Sequence, residues 1–444
     1  MFNLAQSRRA DNARFLEPDG IPAGLRHLCI AHLPETLDPA ALTRSEWAPY
    51  AAFVISAVVF RRFIDRDADE ATFVPLSNKF LRRHVPVRVC GPLIRDLLGC
   101  RVLERDEIYY FGQFARSGRG KCLCYRLGEC LQGVPVRPRP ITHPELLRKM
   151  HTAWEADRAA ITNPIHKALR NWHDQVEVLP DAPYGEHLLL DRLLDGERRF
   201  SVCQQGRIHH NVANLPRQYR QFVRLEGNEM ESVDIATSQP LLLGLVLSGR
   251  AQGMAAEAGK GKTSRRVPGT PALYVPSSEP DLNVYLGHCL DGTIYNHIAA
   301  ETHYTRDDVK PLFLAVIYGE PKHMNTKTGR AIGRLYPSVF DAVTELNHRL
   351  GHGGLPRLMQ TIESLVMIGR VAGRLTRELP CVPLLTLHDS ILIPSGHAKF
   401  AKQVIDEEWN TAFGVVPKTK QSTFTAPQPA RLHCTARINT GGLR

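Results

Sequence analysis

Apolar and polar positions follow two different rhythms along this chain. From Trp47 to about Glu129 the pattern is helical and then extended. Ala48 to Phe60, "APYAAFVISAVVF", is a continuous apolar run that is too short to span a bilayer and reads as a buried helix. Val74-Pro75-Leu76-Ser77 leads into a short helix over Asn78 to Arg83, and Pro92 is expected to open another in "PLIRDLLGC". Two extended runs follow, "RVLERDEIYYFG" and "GKCLCYRL", separated by the basic, glycine-containing "QFARSGRG". Helix, helix and a two-stranded wing with a cationic tip predict a winged-helix-like region over about 47–129. A small α+β packing module is the other reading of the same pattern.

Residues 1 to about 45 look irregular, and the proline-rich "GVPVRPRPITHP" (Gly133 to Pro144) reads as a linker. Glu145 to Trp172 is mostly helical. From about Asp191 onward short strands mix with longer helices, so the fold class is α+β. The expected division is an N-terminal module (1–132), a linker with a helical segment (133–190) and a third part (191–444). The loop "GKGKTSRRVPGTP" contains Gly261-Lys262-Thr263, but the first glycine of a P-loop would fall at Ala256 and no strand precedes it, so that reading is rejected.

Within the third part, "LLTLHDSILIP" (Leu384 to Pro394) sets His388, Asp389 and Ser390 in the middle of a buried-strand pattern. Bounded by Pro383 and Pro394, it predicts a β-hairpin whose turn carries Asp389. Burying an unpaired carboxylate costs several kcal/mol, so something must compensate it. A second segment, "MESVDIATSQPLLL" (Met230 to Leu243), reads as a strand ending at Asp234, then a tight turn and a helix capped by Thr237 or Ser238 with Pro240 in its first turn. Asp234 and the main-chain oxygen of Ile235 are hard donors of the kind Mg²⁺ prefers. Taken alone, an aspartate before a helix is more often a cap. A third segment, "TRDDVKPLFLAVIYG" (Thr305 to Gly319), has a capping-box pairing of Thr305 with Asp308, a helix stop at Gly319, and Arg306 and Lys310 on one face as candidate triphosphate cations. Their plain alternative is a solvated face paired with Asp307. If Asp234 and Asp389 met around two divalent ions, the arrangement would suit in-line phosphoryl transfer.

In order and spacing these three segments resemble motifs A, B and C of the family A DNA polymerases and the phage-type single-subunit RNA polymerases. Asp234 matches motif A. Arg306, Lys310, Tyr318 and Gly319 match motif B, and His388-Asp389 matches motif C. The resemblance covers roughly Gly206 to Pro394. It implies a right-hand palm with helical fingers behind the winged-helix-like module, and a nucleotidyltransferase using two Mg²⁺, or Mn²⁺, held by Asp234, Ile235 and Asp389. It further implies that Lys310 and Arg306 neutralise the incoming triphosphate, Tyr318 lies beneath the nascent base pair, and His388 steadies the primer terminus. Arg207, Arg217 and Arg220 in "GRIHHNVANLPRQYRQ", and Gln360 in the helix before motif C, are implied contacts to primer-template DNA. Gln239, five residues after Asp234, has the bulk of the DNA enzymes' barrier to the ribose 2′-hydroxyl, whereas Ser390 is typical of the RNA polymerases and Leu314 replaces an aromatic residue common in the DNA enzymes. The lean is therefore to a compact DNA polymerase. A single-subunit RNA polymerase or primase is the alternative, with RNA as template or product. No proofreading exonuclease is expected ahead of the palm segments.

Composition shifts this picture only modestly. The 444 residues are 43% hydrophobic and 23% charged, as in a soluble globular protein, and the net charge of +11 favours a polyanionic partner. Beyond Glu408, Lys418, Lys420, Arg431, Arg437 and Arg444 add to that balance. The ten scattered cysteines form no C-x-x-C pair; Cys122 and Cys124 alone make a poor zinc site, and reduced core thiols in a cytoplasmic protein without a membrane role are expected. Two rival functions remain: a non-catalytic DNA-binding replication initiator or regulator, suggested by the wing and the basic tail, and a nuclease using the same carboxylates.

Overall fold

The computed structural model describes residues 30–64, 68–106, 122–258, 279–318, 321–351 and 353–424. Its architecture is mixed α+β. The first elements are β1 (Ile30–Pro34), α1 (Ala48–Ile64), β2 (Val74–Pro75), α2 (Asn78–His84), α3 (Val87–Gly99), β3 (Leu103–Arg105), β4 (Cys124–Leu127) and β5 (Val136–Pro140). Strands β2, β4 and β3 form an antiparallel sheet with β4 in the middle, pairing Val74 with Tyr125 and Leu103 with Leu127. The segment "QFARSGRG" between β3 and β4 lies outside the described residues.

Helix α1 is longer than its apolar run suggested, because Arg61 and Arg62 extend it to Ile64. With its leading turn it reaches 20 residues, long and apolar enough by composition to cross a membrane, yet half of that stretch is buried in the protein. Val54, Ile55, Val58 and Val59 pack with Leu81, Leu93 and Leu97 in one hydrophobic core. Pro92 does not open α3 but sits inside it; the helix starts at Val87, after Pro86, whose carbonyl accepts from Val89 and Cys90. Burial of Val89, Cys90, Leu93 and Leu97 along one stripe offsets the hydrogen bond that an interior proline removes.

The proline-rich segment is not a free linker. It forms β5, paired antiparallel with β1 in the register Ile30–Pro140, His32–Pro138 and Pro34–Val136. Pro138 and Pro140 are two residues apart and so share one phase of the ladder, and a two-stranded sheet has an outer edge where a missing N–H is harmless. The same pairing gives residues 30–34 a strand where the pattern looked irregular.

Next come α4 (Pro144–Ala159), α5 (Pro164–Asp174), β6 (Val176–Val178), α6 (Leu188–Leu194), β7 (Phe200–Val202), β8 (Ile208–His210) and β9 (Val223–Leu225). Asn163 Oδ1 caps α5 by accepting from the amides of Ile165 and His166. Pairs β6–β9 and β7–β8 are short antiparallel ribbons.

The elements that follow include β10 (Met230–Ile235), α7 (Ser238–Leu247), α8 (Arg306–Tyr318), α9 (Gly354–Ser364), β11 (Leu385–Leu387), β12 (Ser390–Pro394), α10 (Ala398–Phe413) and β13 (Thr419–Thr423). Helix α9 continues into a π-helical stretch, Leu365–Ala372. Strands β11, β12, β10 and β13 form a four-stranded antiparallel sheet in that order. Alternate residues serve different cores. Ile391 and Ile393 join Val233, Ile235 and Trp409, whereas Leu392 joins Met230, Leu385 and Leu387 on the opposite face. Both faces being covered explains why β12 reads as an unbroken apolar run despite its antiparallel pairing.

Candidate active site

The hairpin at Leu384 to Pro394 folds as the turn residues require. Leu387 pairs with Ser390, leaving His388 and Asp389 as a two-residue turn. His388 takes φ = 58°, in the left-handed region. That conformation costs a non-glycine residue about 1 kcal/mol or more, although histidine visits it more often than most. The neighbouring strand then sets the geometry. Asp234 lies opposite Ser390 in the β10–β12 register, and the Ile235 amide donates to the Asp389 carbonyl at 3.3 Å. Residues far apart in sequence are thereby made neighbours at one end of the sheet.

The two carboxylates share an environment that resists their charge. Desolvation raises the pKa of Asp389 well above the usual carboxylate range, and repulsion from Asp234 and Glu363 adds to the shift. Asp234 is raised by desolvation as well, while Lys310, Lys420 and Arg217 act in the opposite direction. Among the described residues no group of three or more His, Cys, Asp and Glu side chains is arranged to hold a metal ion. A site for Mg²⁺ needs fewer, since that ion is commonly held by one or two carboxylates together with substrate phosphates and water. Two desolvated carboxylates repelling each other form a donor set that fits a divalent cation.

Helix α8 supplies one of the nearby cations. Thr305 and Asp308 close the expected capping box: Thr305 N and Oγ1 donate to Asp308 Oδ2, and Asp308 N donates to Thr305 Oγ1. Pro311 is accommodated within the helix. Lys310 is exposed, and its charge favours ionisation of both Asp234 and Asp389. Arg306 stands further off. Its guanidinium pairs with Asp307 at 3.3 Å and lies 5.7 Å from the centroid of the Tyr295 ring. Gly319 lies outside the described residues.

Glu363 was not anticipated, and it organises the other side of the site. This buried carboxylate on α9 ion-pairs with Arg207. It also accepts hydrogen bonds from Ser238 Oγ at 3.1 Å and from Gln239 Nε2 at 2.5 Å. Tyr318 Oη donates in turn to Gln239 Oε1. Arg207, Gln239 and Tyr318 are thus tied into one network. The hydroxyls expected to cap α7 are engaged elsewhere: Ser238 on Glu363, and Thr237 Oγ1 on the carbonyl of Cys289 at 2.6 Å. Helix α7 begins without a side-chain cap.

No protein-family model matches this chain, and no curated protein matches it. Among solved structures it is similar to the POL domain of Pol1 from M. smegmatis in complex with DNA primer-template and dNTP, with 14% sequence identity, 94% of this chain and 71% of that chain covered, and a TM-score of 0.34.

The remaining candidates divide by their surroundings. Arg217 is exposed and close enough for its charge to act on Asp234. Arg220 instead braces its own segment, with Nε donating to the Leu215 carbonyl and a terminal nitrogen to that of Ala213. Gln360 is half-buried on α9, where its carbonyl accepts from Ser364 Oγ. The His388 ring stands edge-on to His209, with centroids 5.9 Å apart. Lys420 was seen only as part of a basic tail, but it sits on β13 directly opposite Asp234. Lys418, two residues earlier, donates to the Asp291 carbonyl at 3.0 Å. Arg431, Arg437 and Arg444, like the loop around Lys262, lie outside the described residues.

No disulfide joins the cysteines of the described residues. Cys90, Cys124 and Cys289 are buried, but Cys100, Cys130 and Cys381 are exposed, so they are not uniformly core thiols.

Proposed function

We propose that this chain is a template-directed nucleotidyltransferase of the DNA-polymerase kind, extending a primer 3′ end with deoxynucleoside triphosphates. The observation that carries the proposal is the strand register that makes Asp234 and Asp389 neighbours in a desolvated site beside the exposed Lys310. Two carboxylates of this kind serve phosphoryl transfer better than a structural role, because their repulsion destabilises the fold unless a cation is bound.

In this reading Asp234, Asp389 and the main-chain oxygen of Ile235 would hold two Mg²⁺ ions, which would supply charge stabilisation for an in-line displacement. Lys310 meets the triphosphate as negative charge moves toward the departing pyrophosphate. Arg306, further along the same helix face, must leave Asp307 to join it. Gln239 is held rigid between Glu363 and Tyr318, as suits a barrier to a ribose 2′-hydroxyl. Arg207 is the counter-ion that keeps Glu363 in place, and Arg217 and Gln360 are candidates for contact with the nucleic acid.

The order of α1, β2, α2, α3, β3 and β4, with β4 central in the small sheet, supports the winged-helix reading of the N-terminal part and its use in gripping duplex DNA. That observation also favours the rival reading of a non-catalytic initiator. Parallel extension assays with labelled dNTPs and NTPs, on primed and unprimed DNA and RNA, separate these readings. Mg²⁺-dependent dNTP incorporation on primed template is expected. Preferential NTP use or unprimed synthesis would move the assignment to an RNA polymerase or primase, and salt-sensitive DNA binding without any incorporation would leave an initiator.

A further inference from the structure

A cavity of about 890 Å³ opens at the junction of α1, α2, α4 and the β7–β8 ribbon, away from the paired aspartates. Six arginines line it (Arg61, Arg83, Arg158, Arg192, Arg198 and Arg199), against the carboxylates of Asp157 and Glu197. Four of the six are already engaged. Arg83 pairs with Asp157, Arg158 with Asp174 and Arg192 with Glu197, while Arg198 donates to the main-chain carbonyls of Leu193, Glu197 and Val176. Among the described residues, Arg61 and Arg199 have no carboxylate within ion-pair distance. Arg61 donates to the Pro75 carbonyl and lies 4.9 Å from the Phe80 centroid, while Arg199 lies 5.2 Å from that of Phe60, a ring that Arg192 approaches more closely at 4.2 Å.

Guanidiniums without an ion-pair carboxylate, set among aromatic side chains, are a combination that holds an unpaired strand, with phosphates on the cations and bases against the aromatic lining. Trp154 and Phe200 extend the aromatic lining. Desolvation disfavours the charge of the half-buried Arg61. Arg199 is exposed at the surface, and there the favourable field of Glu197 is opposed by those of Arg192 and Arg61. The position matters too. Residues 200–204 line the cavity, and the same ribbon turns at Gly206, φ = 79°, to present Arg207 to Glu363. A β-carbon at Gly206 would come within 3.3 Å of the Ser364 side chain, so the ribbon lies directly against α9.

We infer that this cavity is a second nucleic-acid site, which takes a single-stranded segment through Arg61 and Arg199 and the neighbouring aromatic rings. The inference shares with the proposed function only the choice of nucleic acid as ligand. Its test runs in EDTA without nucleotides, where no incorporation takes place, so failure of one leaves the other standing.

The experiment measures binding of a fluorescent 16-nucleotide oligothymidylate and its RNA counterpart to the full chain by anisotropy across a salt series. Arg61→Gln/Arg199→Gln is expected to weaken binding about tenfold or more, and to reduce the slope of log K against log salt by about 1.4, the value for two lost phosphate contacts on a single strand. The exposed pair Arg377→Gln/Lys399→Gln, on other helices, is expected to change binding less than twofold. Equal losses in the two double variants would overturn the site. So would displacement of the oligonucleotide by dTTP or inorganic phosphate at comparable concentration, which would make the cavity a small-anion pocket. Photo-crosslinking of an iodouracil-substituted strand to the unmutated chain answers the same question without relying on a variant's folding. Adducts on peptides containing Phe60, Phe80, Trp154 or Phe200 support the assignment, and adducts exclusively elsewhere refute it.

Discussion

The amide of Ile235 donates to the carbonyl of Asp389 across 3.3 Å, fixing the strand end that bears Asp234 beside a hairpin turn more than 150 residues later in the chain. Two carboxylates are held together by main-chain bonds that do not depend on their side chains. Asp389→Asn should therefore keep the hairpin while removing the repulsion. We expect nucleotide incorporation to fall by about a thousandfold, equivalent to several kcal/mol of lost charge stabilisation. The thermal midpoint in EDTA should rise above that of the unmutated protein, and the upward shift on adding Mg²⁺ should disappear. A variant that kept both the activity and the Mg²⁺ shift would remove the aspartate pair from the mechanism.

Tyr318 and Gln239 make a different kind of prediction, because their hydrogen bond holds a bulky side chain in place without involving the carboxylates of Asp234 and Asp389. Gln239→Gly should raise the relative use of ribonucleotides at least about tenfold, a loss of roughly 1.4 kcal/mol or more in discrimination energy. Glu363→Gln should give a smaller change in the same direction, since it weakens the anchor rather than removing the barrier. Competition between dNTP and NTP on one primed template reads both, and unchanged selectivity in Gln239→Gly would refute the barrier role.

Lys310 on α8 and Lys420 on β13 both favour ionisation of Asp234, and Lys310 acts on Asp389 as well. Lys310→Ala should lower kcat about a hundredfold, as expected for one electrostatic contact to a developing charge. Lys420→Ala should leave kcat within a few-fold and lower the Mg²⁺ concentration needed for half-maximal rate, because a cation facing Asp234 repels a divalent ion, whereas Asp234→Asn should raise it. Steady-state kinetics with Mg²⁺ and nucleotide varied separately distinguish the two lysines.

A pH effect is expected from three buried groups, Asp191, Asp195 and His210. Burial raises Asp195 to about 7 and Asp191 to about 6. An unfolded aspartate titrates near 3.8, so between roughly pH 4 and 7 the folded protein holds more protons at these positions, and stability falls as pH rises through that window. His210, held down to about 4 by burial, acts in the opposite sense and loses stability as pH drops below its ordinary range near 6.5. Asp195→Asn should thus be the more stable protein at pH 8, by on the order of 1–3 kcal/mol, with the difference closing toward pH 4. Urea denaturation of both proteins at several pH values measures this directly, and parallel curves would contradict the assigned shift.

How much of this was legible beforehand depended on whether local pattern or tertiary placement decided the matter. The hairpin at His388-Asp389 declared itself because polar residues interrupted a strongly apolar strand, and the Thr305–Asp308 capping box because its spacing is local. Glu363 did not, since "QTIESLV" looks like any amphipathic helix until α9 is placed beside α7 and Arg207. Lys420 was hidden for a related reason. "TKQST" has no apolar alternation, and only its pairing with β10 makes a strand of it. At Pro92 and in "VRPRP" the usual meaning of proline was misleading, because buried side chains in one case and an unpaired ladder edge in the other made the ring tolerable.

Strand β13 gives the chain a particular order of assembly. The edge of β10 beside Asp234 stays unsatisfied until residues 419–423 have been synthesised and have returned across almost two hundred residues of intervening polypeptide. Such a late, long-range closure is slow and leaves a sticky strand margin exposed to nascent-chain aggregation in the meantime. Ribosome-stalled chains released just before Thr419 should therefore depend on chaperones far more than those released after Phe424.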